Sequence, residues 1–171
     1  AHGVDIRFCF IASANEAWFR SAIRASFAAL ADAPMAFCSG YTHHDMAPVV
    51  DRLGHADVAI ATIWHSAFTV ATYPGADRSF YLIQDFEPGF YPNGTLFALA
   101  EETYRIGLYG LCNSPTMGRL YAERYGGRGR AFLPAVDRSV FHPAAEGERV
   151  ADRPLKVFLY ARPGHWRNCW E

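Results

Sequence analysis

One eleven-residue stretch, QDFEPGFYPNG at residues 84–94, gathers the side chains best equipped for chemistry. It holds two carboxylates, Asp85 and Glu87, among three aromatics, Phe86, Phe90 and Tyr91, and is stiffened by Pro88 and Pro92. Acids beside apolar ring faces suit a polyhydroxylated ligand, because the rings stack on its apolar face and the carboxylates accept from its hydroxyls. The same two acids could in principle act as acid and base in glycoside hydrolysis. That reaction needs carboxyls flanking the scissile bond, roughly 5 to 9.5 Å apart. Two acids on one short loop can meet the distance but not the flanking arrangement, so hydrolysis ranks last. The plainer reading is a structural loop whose acids cap the helix that follows.

A second stretch, RPGHWRN at residues 162–168, follows an apolar run and offers Arg162 and Arg167. Guanidiniums bind phosphate in bidentate fashion, and a helix N-terminus after the loop would add to that, so a diphosphate is the ligand this loop suits. Two solvated surface arginines are the alternative. His43-His44-Asp45 invites a metal reading, but no HxH or HExxH spacing supports it, and a solvated loop is expected there. No metal site is assigned. His65 sits between a strand-like and a helix-like run, where it could act as a base, hydrogen bond a ligand, or be structural. His142 reads as packing, and the Gly126-Gly-Arg-Gly129 run, which follows a helix, reads as a turn rather than a phosphate cradle.

These residues need elements to position them. Apolar runs at residues 6–12, 57–63, 79–84, 108–113, 130–133 and 155–161 read as strands, and their continuity suits strands covered on both faces. Helical spacing appears over 15–31, 94–104 with Asn93 as a cap, and 114–125, where Ser114-Pro115 makes a start and Gly126-Gly127 a stop. Strands alternating with helices predict an α/β fold with a Rossmann-like parallel sheet. In such sheets ligands bind outside the carboxyl ends of the strands. That rule selects residues 64–66, 85–93, 113–116, 134–138 and 162–168, and with them Trp64, His65, Gln84, Asn113 and Ser114 as cleft residues.

The chain has 171 residues, 51% hydrophobic and 19% charged, which supports a packed core and excludes wholesale disorder. A formal net charge of −1 argues against a general nucleic-acid or anionic-membrane binder. Cys9, Cys38, Cys112 and Cys169 are widely spaced, so buried free thiols in a reducing compartment are expected rather than a disulfide framework or zinc ribbon. The longest apolar stretch, residues 58–73, is interrupted by His65 and is shorter than the roughly 20 residues of a membrane span. A polar, proline-bounded segment at 143–154 reads as a linker. It divides the chain into a domain at 1–142 and the start of a second at 155–171.

The segments DVAIATIWHSAFTV, YLIQDFEPGFYPNGTLFALAEETYR, CNSP, VDRSVFHP and FLYARPGHWRNCWE together resemble bacterial glycosyltransferases of the rhamnosyltransferase type. These are two-domain GT-B enzymes related to glycosyltransferase family 4. The resemblance runs over residues 57–171 and is most specific over 81–104. It implies an acceptor-side Rossmann-like domain followed by the first strand of a donor-binding one. The implied reaction moves a hexosyl group, rhamnosyl among the candidates, from a nucleotide-diphosphate sugar to a glycan or lipid-linked glycan acceptor in surface polysaccharide synthesis. dTDP-rhamnose is among the implied donors, and neither a cofactor nor an obligatory metal is implied. Arg162, Arg167 and Asn168 fall at the donor, and Asp85 and Glu87 on the acceptor side as the implied catalytic pair. The implied location is the cytoplasm, peripheral to the inner membrane where the acceptor is lipid-linked. The family's opening strand and Gly-rich loop and its later donor residues find no counterpart here. An interior fragment, inactive by itself, is therefore expected. A non-catalytic sugar- or nucleotide-binding module is the alternative.

Overall fold

The structure is a computed structural model that describes residues 3–11, 15–143 and Val157. The linker, the strand expected at 155–161, the donor residues Arg162, Arg167 and Asn168, and Cys169 lie outside those residues, apart from Pro143 and Val157. The chain divides into two compact units, Ala1–Phe132 and Leu133–Glu171. In the second, Asp137 organises a turn: its carboxylate accepts from the Ser139 amide at 2.9 Å and hydroxyl at 2.6 Å.

The first unit contains two parallel sheets. Strands β1 (Phe8–Phe10) and β2 (Met35–Phe37) pair in one. Strands β3 (Ala56–Ala61), β4 (Ala76–Ile83), β5 (Tyr109–Cys112) and β6 (Gly129–Ala131) follow one another in the other. The helices α1 (Glu16–Ser26), α2 (His43–Asp51), α3 (Trp64–Thr72), α4 (Thr95–Glu102) and α5 (Pro115–Tyr125) alternate with the strands, giving the α/β, Rossmann-like arrangement expected from the sequence.

The register explains the core. Ala61, Tyr81, Gly110 and Gly129 form one row across the four-stranded sheet, and Ile83, Cys112 and Ala131 form the next. Ala61, Tyr81, Ile83 and Cys112 are fully buried, packed with Trp64, Ala67 and Val70 of α3, Ala100 of α4 and Tyr121 of α5. Side chains of the intervening residues point to the opposite face, as the period of two requires. There Ile60, Phe80 and Tyr109 are aligned, and none is buried. Coverage on both faces was expected; among the described residues only one face is covered.

Two elements were not anticipated. Strand β2 is only three residues long, too short to stand out as an apolar run. Helix α2 occupies the place where a solvated His43-His44-Asp45 loop was expected. Thr42 and Asp45 form a reciprocal cap: the Thr42 hydroxyl accepts from the Asp45 amide at 3.2 Å, and the Asp45 carboxylate accepts from the Thr42 amide at 3.1 Å. The histidines therefore open a helix, and His43 Nδ1 lies 3.1 Å from the Thr69 hydroxyl of α3. Pro48 inside α2 obscures the helical pattern. The first expected helix also ends early, at Ser26, before a short 3-10 turn at Ala28–Leu30.

At α5 the expected start is observed. The Ser114 hydroxyl accepts from the Met117 amide at 3.2 Å, and Gly126 closes the helix with φ +67°. Replacing Ser114 with alanine is expected to cost about 1 kcal/mol in chemical denaturation, with Ser114→Asp close to wild type. Asn93 does not cap α4. That helix begins after Gly94, with no side-chain cap. Cys38 and Cys112 are buried free thiols, and Cys9 is a half-buried one. No helix among the described residues is long and apolar enough to cross a membrane.

Candidate functional site at the carboxyl ends of the strands

The carboxyl ends of β3, β4 and β5 converge, and side-chain amides lace them together. Gln84 donates from Nε2 to the Thr62 carbonyl at 3.0 Å, and Asn113 donates from Nδ2 to the Gln84 carbonyl at 2.6 Å. Each amide satisfies a carbonyl just beyond the ladder, where the sheet can no longer do so. Gln84, Asn113, Trp64, His65 and the acidic loop thus share one end of the sheet. Ser114 begins α5 there, with its hydroxyl engaged in the cap.

The two acids part company. Glu87 is only 2% exposed, in a short 3-10 turn at Glu87–Phe90. Its Oε2 accepts from the Trp64 amide at 2.5 Å and from the Tyr81 hydroxyl at 2.8 Å. The carboxylate therefore sits at the N-terminus of α3, where free amides and the helix dipole favour negative charge. Burial works the other way and prevails: the Glu87 carboxyl is pushed up to about 7, held back by the Tyr81 and Trp64 hydrogen bonds and raised further by nearby Asp85. Near neutral pH this group exchanges a proton within the core.

Asp85 is exposed, and its Oδ1 accepts from the Phe86 amide at 2.8 Å. Its carbonyl accepts from the Tyr104 hydroxyl at 2.9 Å, and the same hydroxyl accepts from the Glu87 amide at 3.2 Å. Tyr104 thereby holds the backbone on either side of Phe86, leaving the Asp85 carboxylate at the surface. Burial raises both the Tyr81 and Tyr104 phenols well above the ordinary value, so both remain donors.

Aromatic residues wall the site. Trp64 donates from Nε1 to the Tyr91 hydroxyl at 3.1 Å and meets that ring edge to face. On its other side Trp64 stacks on His65, with centroids 3.7 Å apart, and Tyr41 approaches His65 edge-on at 5.3 Å. His65 Nδ1 is buried with no hydrogen-bond partner. Burial lowers its pKa, which favours the uncharged ring.

The structure brings Trp64, His65, Gln84, Asp85, Glu87, Asn113 and Ser114 to one end of the sheet. Trp64 and His65, expected in a loop, instead form the first turn of α3. Tyr41, Tyr81 and Tyr104 were missed. Tyr81 lies within an apolar strand and Tyr104 beyond a helix, where a tyrosine reads as core. Only the proximity of Glu87 reveals a function for their hydroxyls. No cluster of three or more potential metal ligands occurs among the described residues.

A parallel Rossmann-like sheet with aromatic and acidic side chains gathered at its carboxyl ends is the class this fold and site define. The family described as "WsaF, N-terminal domain" matches residues 43–110, which include helices α2, α3 and α4 and the acidic loop. The chain is also 43% identical over 122 residues to the O-antigen biosynthesis protein RfbC of Myxococcus xanthus. That similarity covers 71% of this chain but only 9% of the relative's length. No solved structure matches the chain.

Proposed function

We infer that this chain is the acceptor-side part of a glycosyltransferase acting in polysaccharide biosynthesis. The observation that carries this reading is the 43% identity to a protein of O-antigen biosynthesis across 71% of the chain. The exposed Asp85, at the carboxyl ends of a parallel sheet, supports it, because that is where such a sheet takes ligands. The finer reading is transfer of a hexosyl group, rhamnosyl among the candidates, from a nucleotide-diphosphate sugar to a glycan or lipid-linked glycan. It would take place in the cytoplasm, at the inner membrane for a lipid-linked acceptor.

In this scheme an acceptor hydroxyl attacks the anomeric carbon while the bond to the diphosphate oxygen breaks. Asp85 orients that hydroxyl and draws on its proton. Arg162 and Arg167, with Asn168, stabilise the charge growing on the departing diphosphate. Glu87 acts one step back: it fixes Trp64 and the acidic loop rather than touching substrate.

The test uses the full-length protein with labelled dTDP- and UDP-sugars and an isolated glycan acceptor. Sugar transfer is expected, with Asp85→Ala lowering kcat by roughly 100-fold while the fold is retained. Arg162→Ala is expected to weaken donor use. Unaltered turnover in Asp85→Ala would remove that residue from the chemistry. Tight calorimetric binding of a sugar nucleotide without any turnover would instead favour a non-catalytic binding module.

A further inference from the structure

Tyr41 and His65 meet at the carboxyl ends of two strands. Tyr41 lies in the loop between β2 and α2, and His65 in the first turn of α3, which follows β3. The loop is pinned on both sides of the tyrosine. The Cys38 amide donates to the Phe10 carbonyl at 2.8 Å, and the reciprocal Thr42–Asp45 cap begins at the next residue. Position 40 must be glycine, because a Cβ there would overlap the Asp45 carboxylate. The His43–Thr69 contact then ties α2 to α3. Tyr41 is thus carried on a fixed backbone while 56% exposed. Single exposed aromatics are ordinary on protein surfaces, and this one is set apart by its neighbour.

The His65 ring is held in one orientation. Trp64 stacks on it with the planes 26° apart, and the Tyr41 ring meets it at 63°, so the two exposed-side rings form a corner. Trp64 is itself locked, through its amide to Glu87 and through Nε1 to the Tyr91 hydroxyl. The uncharged imidazole that burial favours carries its proton on one nitrogen only. Nδ1 is sealed in without a partner, and a buried N–H with no acceptor is rarer than an unused buried acceptor. The proton therefore belongs on Nε2. That nitrogen makes no hydrogen bond among the described residues and is not sealed from solvent. A fixed N–H donor thus stands beside an exposed aromatic ring.

We propose that Tyr41 and His65 form a subsite for one pyranosyl unit of the glycan acceptor, whose apolar face stacks on the Tyr41 ring while one of its oxygens accepts from His65 Nε2–H. The identity of the ligand rests on the glycosyltransferase reading; the corner itself does not. A pyranose presents C–H groups on one face and hydroxyls around its rim, and the corner offers a counterpart to each. Both groups are uncharged, and among the described residues no guanidinium lies over either ring. That suits a neutral glycan rather than the diphosphate of a sugar nucleotide, which takes bidentate cations. Little ordering remains to be done on binding, because the loop and the imidazole are already fixed.

The experiment uses the full-length protein and two readouts. One is initial-rate kinetics with the acceptor and donor KM measured separately. The other is saturation-transfer NMR with the methyl glycosides of rhamnose, mannose and glucose, which needs no turnover. Tyr41→Ala is expected to raise the acceptor KM about tenfold, with kcat and donor KM as in the wild type, and to weaken glycoside binding equally. Tyr41→Phe keeps the ring and should match the wild type. His65→Phe keeps a ring against Trp64 but has no N–H, and should raise the acceptor KM about fivefold. His65→Gln, which restores an N–H donor, should recover part of that loss. Unchanged acceptor KM and glycoside binding in both Tyr41→Ala and His65→Phe would overturn the subsite and leave the transferase reading intact. A rise in the donor KM instead would also overturn it, assigning the corner to the sugar nucleotide. Glycoside binding that is lost in Tyr41→Ala, in a protein that transfers no sugar, would support the subsite and remove the transferase reading. A wild type that neither binds a glycoside nor transfers sugar would overturn both.

Discussion

Replacing Glu87 with alanine is expected to remove about 3 kcal/mol of stability in chemical denaturation, because it strips a buried acceptor from two donors and leaves a void. The Trp64 amide and the Tyr81 hydroxyl would both lose their partner in a site that is 2% exposed. Glu87→Gln separates charge from shape. With its carboxyl pushed up to about 7 in the fold against 4.5 when unfolded, wild-type Glu87 binds a proton in the native state that the unfolded chain has released. Native proton uptake of this kind makes stability fall as pH rises from about 4.5 through 7, then level off. Glu87→Gln cannot ionise and should lack that slope. Its stability relative to wild type should therefore improve by about 2 to 3 kcal/mol between pH 5 and pH 8. Parallel pH profiles of the two proteins would show that Glu87 ionises freely in the fold.

Gly110→Val is the second substitution expected to have a large effect. Gly110 is on the buried face of β5, and a Cβ there would meet the Tyr121 ring at 2.7 Å and Ile83 Cδ1 at 3.2 Å. Tyr121 has no room to yield. It is fully buried, its hydroxyl donates to the Leu108 carbonyl at 2.6 Å, and its ring also lies against Gly127. A branched side chain must therefore push α5 away from the sheet, and a loss of 3 kcal/mol or more is expected, at the upper end for overpacking. Combining Gly110→Val with Tyr121→Leu should recover a sizeable part of that loss, because the two substitutions compete for one volume. Simple additivity in a double-mutant cycle would show that the ring is not the obstacle.

How far these features were legible differs from residue to residue. Strands β3 and β4 announce themselves because their apolar runs are long, β5 less so because its run is shorter, and α5 because Ser114, Pro115 and Gly126 mark its ends. Helix α2 was hidden because its stop-like Pro48 and paired histidines argue locally against a helix. Only the reciprocal Thr42–Asp45 cap argues for one. The site was legible as a location, because the carboxyl ends of parallel strands follow from chain order alone. Its division of labour was not. Asp85 and Glu87 are two residues apart and chemically alike, yet one is exposed and the other buried. That difference is set by Tyr81, Tyr104 and the first amide of α3, which are distant in sequence. The uncovered face was equally invisible, because a strand bears the same apolar residues whether or not its covering helix is present.

The stacking of Trp64 on His65 gives this end of the sheet an optical signal. An indole held against an imidazole at 3.7 Å, and hydrogen bonded to Tyr91, emits from a rigid and largely dry environment. Protonation of the imidazole, or loss of the hydrogen bond to the Tyr91 hydroxyl, would alter the quenching of that emission. Changes at this end of the sheet can thus be followed without a label as the difference between the emission of the wild type and that of Trp64→Phe, which keeps the other three tryptophans.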